Sequence, residues 1–263
     1  MRYRRRPKSN VPPRKGFFLL PSLFTTASLL SGFFAIVAAI RGDFHEAALA
    51  ILVSGVFDGL DGRIARLTNT TSKFGMEYDS LCDLVAFGVA PAILAYLWAL
   101  APYGRFGWLA AFLYVATTAL RLARFNTLPP ATDGSFLGLP CPAAAGTVAT
   151  SVLFCGFLGK GGAVQNILVL AMVYFLSYFM VSTFRYLSFK NQAAQGKKPF
   201  PVLVAMVLIV MVLATEPQVT LFGLAALYVL SGPALAIYHW LAHGKDEPAG
   251  TLTIGESKGG SHG

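Results

Sequence analysis

The sequence predicts an all-α fold, a polytopic bundle of membrane-spanning helices, on the basis of three observations. Of the 263 residues, 55% are hydrophobic and only 13% are charged, which is about half the charged share of a soluble domain. The mean hydropathy is +0.60. Several apolar stretches reach or approach the roughly 20 residues that a helix needs to cross a bilayer. We therefore expect an integral membrane protein.

Apolar runs separated by glycine, proline and clusters of charge mark eight candidate transmembrane helices. They cover residues 17–40, 45–66, 74–100, 105–123, 140–159, 164–187, 200–215 and 219–242. The first run is too long for the core of a signal peptide and lacks a clear cleavage site, so we expect it to be retained. The seventh run is short and bracketed by prolines, so a bundle of six helices that lacks the last two is the alternative.

The net charge of +9 is concentrated where a membrane protein places it, which argues against a nucleic-acid partner. Seven of the 21 lysines and arginines lie in a basic N-terminal tail, residues 1–16. If the N-terminus is inside and all eight helices cross, 18 of the 21 face the cytoplasm, as the positive-inside rule expects. Both termini are therefore predicted to be cytoplasmic, and the protein to cross the cell (inner) membrane several times. A membrane-embedded domain, 17–243, separates the basic tail from a flexible C-terminal tail, 244–263.

The three cysteines are Cys82, Cys141 and Cys155. Their number is odd, no CxxC spacing occurs, and all three lie in or beside apolar segments. We interpret them as small buried side chains rather than as metal ligands or disulfide partners.

Four aspartates interrupt the apolar pattern where the second and third predicted helices approach the cytoplasm. Asp58 and Asp61 are three residues apart on the second helix, and Asp79 and Asp83 are four residues apart on the third. Each pair therefore shares one helix face. An aspartate near the centre of a transmembrane helix costs about 2.5–3.5 kcal/mol to insert, so a cluster of four needs compensating positive charge.

The sequence offers two alternative sources of this positive charge. Arg63 and Arg66 could form ion pairs that tie the two helices into a polar hairpin. Alternatively, paired carboxylates suit Mg²⁺, Mn²⁺ or Ca²⁺, and two such ions would balance four negative charges. Because a carboxylate-bound Mg²⁺ usually completes its coordination with substrate phosphates, the second source indicates an enzyme acting on a phosphorylated lipid or nucleotide.

A non-enzymatic cation carrier is the alternative from another functional class, since intramembrane carboxylates also form ion paths. A carrier is expected to spread its acidic residues over several helices, often within an internal repeat. Here the acidic cluster is confined to two consecutive predicted helices, and no repeat is visible. The pattern therefore favours an enzyme.

The aspartates and the small residues around them form one extended pattern. It reads Asp58-x-x-Asp61-Gly62-x-x-Ala65-Arg66, then eight residues, then Gly75-x-x-x-Asp79-x-x-x-Asp83. With every fixed position filled at the correct gap, this pattern resembles the full signature of the CDP-alcohol phosphatidyltransferase family. Three further stretches resemble the serine-using branch of that family: YDSLCDLVAFGVAPA (78–92), RLARFN (121–126) and GLPCPAAAG (138–146). The resemblance covers roughly residues 17–190 and departs from the family at Ser22 and Ser28, where relatives often have asparagine.

This resemblance implies an activity and a role for each residue of the pattern. The implied reaction transfers the phosphatidyl group of CDP-diacylglycerol to the hydroxyl of L-serine, giving phosphatidylserine and CMP, in a cavity that faces the cytoplasm. The implied ligands of two divalent ions, Mg²⁺ or Mn²⁺, are Asp58, Asp61, Asp79 and Asp83, and Asp83 is also the implied general base. The residues implied to accommodate the nucleotide and its phosphates are Gly62, Ala65, Arg66 and Gly75. We also expect a homodimer surrounded by membrane lipids.

The acceptor alcohol is a separate question, because enzymes that use glycerol 3-phosphate or inositol phosphate share the acidic signature. Serine carries a carboxylate and an ammonium instead of a phosphate, so its pocket needs one well-placed guanidinium and an acceptor for the amine. Arg121 and Arg124 share a face at the cytoplasmic end of the fourth predicted helix and are our candidates for the carboxylate. Asn126 is the candidate for the amine. The alternative for each arginine is a positive-inside anchor at a helix end.

Overall fold

The structure is a computed structural model, and it describes residues 19–68, 72–127, 136–159, 162–163, 166–182, 185–186 and 215–243. The first two helices, α1 (Leu19–Arg41) and α2 (Phe44–Leu67), form an antiparallel hairpin. The turn between them requires Gly42, whose φ of 86° lies in the left-handed region. The two helices approach closely because their buried faces are rich in alanine and serine.

A serine ladder joins α1 to α2. Ser28 and Ser54 are both buried, and their hydroxyl oxygens are 2.8 Å apart. The Ser54 hydroxyl also donates to the backbone carbonyl of Ser28 at 3.0 Å. One turn away, the Ser31 hydroxyl donates to the carbonyl of Ala50 at 2.8 Å. These bonds fix the register of the hairpin that carries the first two aspartates.

The third helix, α3 (Lys73–Tyr103), is long and irregular. Ser72 caps its N-terminus by accepting a hydrogen bond from the Gly75 N–H at 2.9 Å. The helix is α-helical over Lys73–Asp83, widens into π-helical turns over Leu84–Val89 and Tyr96–Leu100, and ends in a 3₁₀ turn. The first wide segment begins directly after Asp83.

The remaining described helices are α4 (Arg105–Thr127), α5 (Cys141–Phe157), α6 (Ile167–Val181) and α7 (Pro217–His243). Helix α5 is central, since most of its side chains are buried, and it packs against α2 and α7. Helix α4 packs against α3 and α6. Two short strands, β1 (Phe136–Leu137) and β2 (Arg185–Tyr186), pair antiparallel between the helices.

The surface of the bundle is apolar, as expected of a membrane protein. Large hydrophobic side chains are widely exposed, including Leu30 at 68%, Phe112 at 62% and Leu168 at 71%. Three stretches of the described helices are long and apolar enough to cross a bilayer: Ser22–Arg41, Lys73–Tyr103 and Arg105–Thr127. The described helices and their apolar surface fit the predicted bundle of membrane helices.

The number of crossings stays a prediction. Six of the predicted spans coincide to within a few residues with α1 to α5 and α7, and the span predicted over 164–187 contains the shorter helix α6. The predicted span 200–215 lies outside the described residues apart from its last residue, so neither the eight-helix nor the six-helix alternative is decided. Both predicted tails also lie outside the described range.

Candidate active site

The four aspartates come together where α2 meets α3. One carboxylate oxygen from each of Asp58, Asp61 and Asp79 lies within 4.8 Å of the other two. The carboxyl group of Asp83 lies within electrostatic range of Asp58, Asp61 and Asp79, so the fourth aspartate adjoins this group of three. The spacing of three and four residues thus directs both pairs to one place, as the sequence predicts.

Asp61 is the least solvent-exposed of the four aspartates, with 4% of its surface exposed. Its carboxylate accepts hydrogen bonds from the Thr25 hydroxyl on α1 and from the backbone N–H of Gly62. Its second oxygen, Oδ2, is buried and has no hydrogen-bond partner in the described part of the chain. The same is true of Oδ1 of Asp79. Two buried anionic oxygens without donors are unfavourable unless a cation binds them.

This donor set fits a divalent cation. All three clustered ligands are hard carboxylate oxygens, which Mg²⁺ and Mn²⁺ prefer. The alternative of a hairpin tied by ion pairs is not supported by the described residues, because Arg63 is exposed while Asp61 Oδ2 and Asp79 Oδ1 are unpaired. The side chains of Ala65 and Arg66 lie outside what the structure describes.

Two glycines of the pattern have local roles in the backbone. The Gly62 N–H contacts the Asp61 carboxylate, as described above. Gly75 lies in the first turn of α3, and a Cβ added there would come within 3.1 Å of the Ser72 hydroxyl that caps the helix. Gly75 therefore leaves room for the N-cap of the helix that carries Asp79 and Asp83.

The candidate residues for binding the acceptor alcohol separate into two groups on α4. Arg121 points to α5, where its Nη1 donates to the Cys141 sulfur at 3.4 Å. Asn126 instead contacts α3, since its Nδ2 donates to Ser80 Oγ at 3.0 Å and lies 3.4 Å from Glu77 Oε2. Arg124 is half-buried, one turn after Arg121.

Comparison with known proteins decides the family. The sequence model of the CDP-alcohol phosphatidyltransferases matches residues 18–175, more than half of the chain. The chain belongs to the CDP-alcohol phosphatidyltransferase family. Every helix that contributes to the aspartate cluster, and α4 with Arg121, lies within the matched range.

Individual relatives of this phosphatidyltransferase carry related names. A CDP-diacylglycerol–serine O-phosphatidyltransferase of Helicobacter pylori is 39% identical over 217 residues, which are 82% of this chain and 91% of that protein. The Bacillus subtilis protein of the same name is 35% identical over 178 residues, 67% of this chain and 94% of the relative. An archaetidylserine synthase of Methanothermobacter thermautotrophicus is 36% identical over 174 residues, 65% of this chain and 70% of the relative.

Three residues near the site of this phosphatidyltransferase were not singled out by the sequence. Thr25 is a polar residue in an apolar span, and only the structure shows its bond to Asp61. Cys141 lies in the GLPCPAAAG stretch, where the sequence predicts a buried side chain but not its contact with Arg121. Tyr228, on α7, lies within electrostatic range of Arg121, although no sequence pattern marks that helix.

Proposed function

We propose that this protein transfers the phosphatidyl group of CDP-diacylglycerol to the hydroxyl of L-serine, giving phosphatidylserine and CMP. The observation that carries the proposal is the similarity to relatives named for this reaction, which spans 91% of the Helicobacter pylori protein and includes the aspartate cluster. The name of the archaeal relative also contains serine, although it names a different lipid product. Serine is therefore the acceptor that the named relatives favour.

Three of the aspartates are proposed to bind metal. Asp58, Asp61 and Asp79 converge on one point and would hold the cation that binds the pyrophosphate. Mg²⁺ or Mn²⁺, bound there as one or two ions, would neutralise the phosphate charge and stabilise the leaving oxygen. Arg66 and the small residues Gly62, Ala65 and Gly75 are proposed to border the nucleotide.

Asp83 is the proposed general base. Its carboxyl group lies near Asp58 and is not one of the three that converge within 4.8 Å. The serine hydroxyl oxygen attacks the phosphorus that carries diacylglycerol, while the hydroxyl proton moves to Asp83 and the bond from that phosphorus to CMP breaks. No covalent enzyme intermediate is needed, because positioning and electrostatics carry phosphoryl transfer.

Arg121 is the proposed partner of the serine carboxylate, with Arg124 as the second candidate. Support comes from burial, since the Arg121 Nε is buried and without a partner among the described residues. Asn126 is a weaker candidate for the serine amine, because its amide already bonds to Ser80 on α3.

The proposed setting is the cell (inner) membrane, with both termini and the active site on the cytoplasmic side. The distribution of lysine and arginine supports this orientation. The homodimer stays a prediction.

Purified protein in detergent micelles tests the proposal. We expect CMP release from CDP-diacylglycerol only when L-serine and Mg²⁺ or Mn²⁺ are both present, and recovery of the activity when Mn²⁺ is added back after chelation. Cation flux through reconstituted vesicles without CMP release would support the carrier and contradict the enzyme.

A further inference from the structure

The two edges of the Arg121 guanidinium have different surroundings. On one edge, Nη1 donates to the Cys141 sulfur at 3.4 Å, and this is the one side-chain acceptor of Arg121 among the described residues. On the other edge, Nε is buried and has no partner in the described chain. Nε and Nη2 form the edge of a guanidinium that binds a carboxylate with two parallel hydrogen bonds. A buried N–H without an acceptor needs a partner, and a ligand oxygen can supply it.

Cys141 lies in the buried part of α5 that contacts this arginine. It is the first residue of α5 and is fully buried at 0% exposure. Tyr114 lies two turns before Arg121 on the same face of α4, is 1% exposed, and keeps its hydroxyl without a partner among the described residues. The Tyr114 hydroxyl lies within electrostatic range of the Cys141 thiol. The thiol thus lies in a buried polar layer between α4 and α5.

This layer borders the aspartate cluster. The Cys141 thiol lies within electrostatic range of Asp83 as well as of Arg121. Under the proposed function, an amino acid whose carboxylate binds the free edge of Arg121 must also present its hydroxyl to Asp83.

The chemistry of a thiol suits this position. A sulfur atom accepts a hydrogen bond weakly and carries no charge, so it orients the guanidinium without neutralising it. A carboxylate in its place would hold the arginine more firmly but would compete with the ligand for its charge.

We propose that Cys141 is a positioning residue for acceptor recognition, an assignment that rests on the proposed function. Its sulfur holds Nη1 of Arg121 and thereby turns the Nε–Nη2 edge toward the carboxylate of the acceptor. This planar, bidentate contact selects an acceptor that carries a carboxylate over an alcohol that lacks one.

Kinetics of four variants test this proposal: Cys141→Ala, Cys141→Val, Cys141→Ser and the control Cys155→Ala on the same helix. Cys141→Ala is expected to raise the KM for L-serine about tenfold, which equals about 1.4 kcal/mol. The kcat and the KM for CDP-diacylglycerol should change less than about twofold, since neither depends on the carboxylate contact. Cys141→Ser keeps an acceptor and should recover most of the loss, and Cys155→Ala should match the unaltered protein. Cys141→Val fills the volume without the acceptor and replaces the alanine variant if that variant does not fold.

Two further measurements separate positioning from a merely structural effect. With serinol, in which a hydroxymethyl group replaces the carboxylate, the KM should be the same for Cys141→Ala and the unaltered protein. The double variant Cys141→Ala/Arg121→Lys should have no higher KM for serine than Arg121→Lys alone. The reason is that both changes act on the same contact, the one between Arg121 and the serine carboxylate. Additive effects, an unchanged KM for serine in Cys141→Ala, or an equal increase for serinol would overturn the proposal. Use of glycerol 3-phosphate instead of serine by the unaltered protein would overturn the proposed function itself, and this assignment with it.

Discussion

At the scale of single residues, the two oxygens of the Asp61 carboxylate have different surroundings. The carboxylate accepts from the Thr25 hydroxyl and the Gly62 N–H, while Oδ2 is buried and unpaired in the described chain. Thr25 is itself 6% exposed and belongs to α1, so the hydrogen bond crosses between helices. A hydrogen bond from a residue that does not itself bind the metal fixes the orientation of a metal ligand.

Replacement of Thr25 by valine should therefore weaken metal binding. We expect about tenfold lower affinity for Mn²⁺, because loss of an outer-shell hydrogen bond typically costs 10–100-fold. Electron paramagnetic resonance of Mn²⁺ titrated into the purified protein without substrate measures the affinity directly. Thr25→Ser should restore it, and Thr26→Val, which removes a bond to Tyr78 instead, is the matched control. Equal Mn²⁺ affinity in the Thr25→Val and Thr26→Val proteins would contradict the account.

Asparagine substitutions should separate the roles of the aspartates. At position 58, 61 or 79 the change should abolish turnover and weaken metal-dependent binding of CDP-diacylglycerol, because a ligand charge is lost. Asp83→Asn should abolish turnover and leave lipid binding closer to intact, since a base is needed only for the hydroxyl. Turnover and equilibrium binding of the labelled lipid are measured for each variant. Appreciable activity in Asp83→Asn would show that the base assignment is wrong.

The sequence predicts the cluster but not what surrounds it. The convergence of the aspartates follows from helical periodicity and from one short connection between two helices, both of which are local. The contacts of Thr25 with Asp61, of Cys141 with Arg121 and of Asn126 with Ser80 join residues that lie 20 to 46 positions apart on different helices. No local pattern encodes which faces of such helices meet, so these contacts require the structure.

At the scale of the elements, the close approach of α1 to α3 positions the site. A Cβ added at Gly32 would lie 2.7 Å from the Cα and 2.8 Å from the Cβ of Ala86. Ala86 belongs to the wide π-helical segment that begins directly after Asp83. A shift of this contact would therefore be transmitted to the proposed base.

Gly32→Ala should for this reason destabilise the bundle and reduce activity. Overpacking of a close contact typically costs about 1–3 kcal/mol, which lowers the Tm in detergent. Gly223→Ala on α7 is the control, because a Cβ there meets nothing within 4 Å. If the two variants unfolded at the same temperature, the close packing of α1 on α3 would not be needed for stability.

Sequence periodicity predicts where the helices lie but not their irregularities. The predicted span 74–100 corresponds to Lys73–Tyr103, but its π-helical turns are absent from a prediction that assumes a regular helix. The strand pair was also not predicted, since two residues in each strand are too few to show alternation. Both features depend on how neighbouring segments pack.

At the scale of the whole molecule, the predicted orientation places the turn at Gly42 outside and the connection between α2 and α3 inside. Asp43 and Lys73 are exposed at these two places. A maleimide that cannot cross membranes should therefore label Asp43→Cys in intact cells, and Lys73→Cys only after the membrane is permeabilised. The unaltered protein, with its three native cysteines, sets the background. Labelling of Lys73→Cys in intact cells would show that the orientation is inverted.

The central property of the whole molecule is the alcohol that it uses as acceptor. One competition assay tests this directly: purified protein with Mn²⁺ and labelled CDP-diacylglycerol is offered L-serine, glycerol 3-phosphate and inositol phosphate together, and the lipid products are separated. We predict that phosphatidylserine is the labelled product, formed in step with CMP. A labelled glycerol- or inositol-phosphate lipid would contradict the serine assignment and the roles of Arg121 and Cys141, while the assignment of the four aspartates would stand.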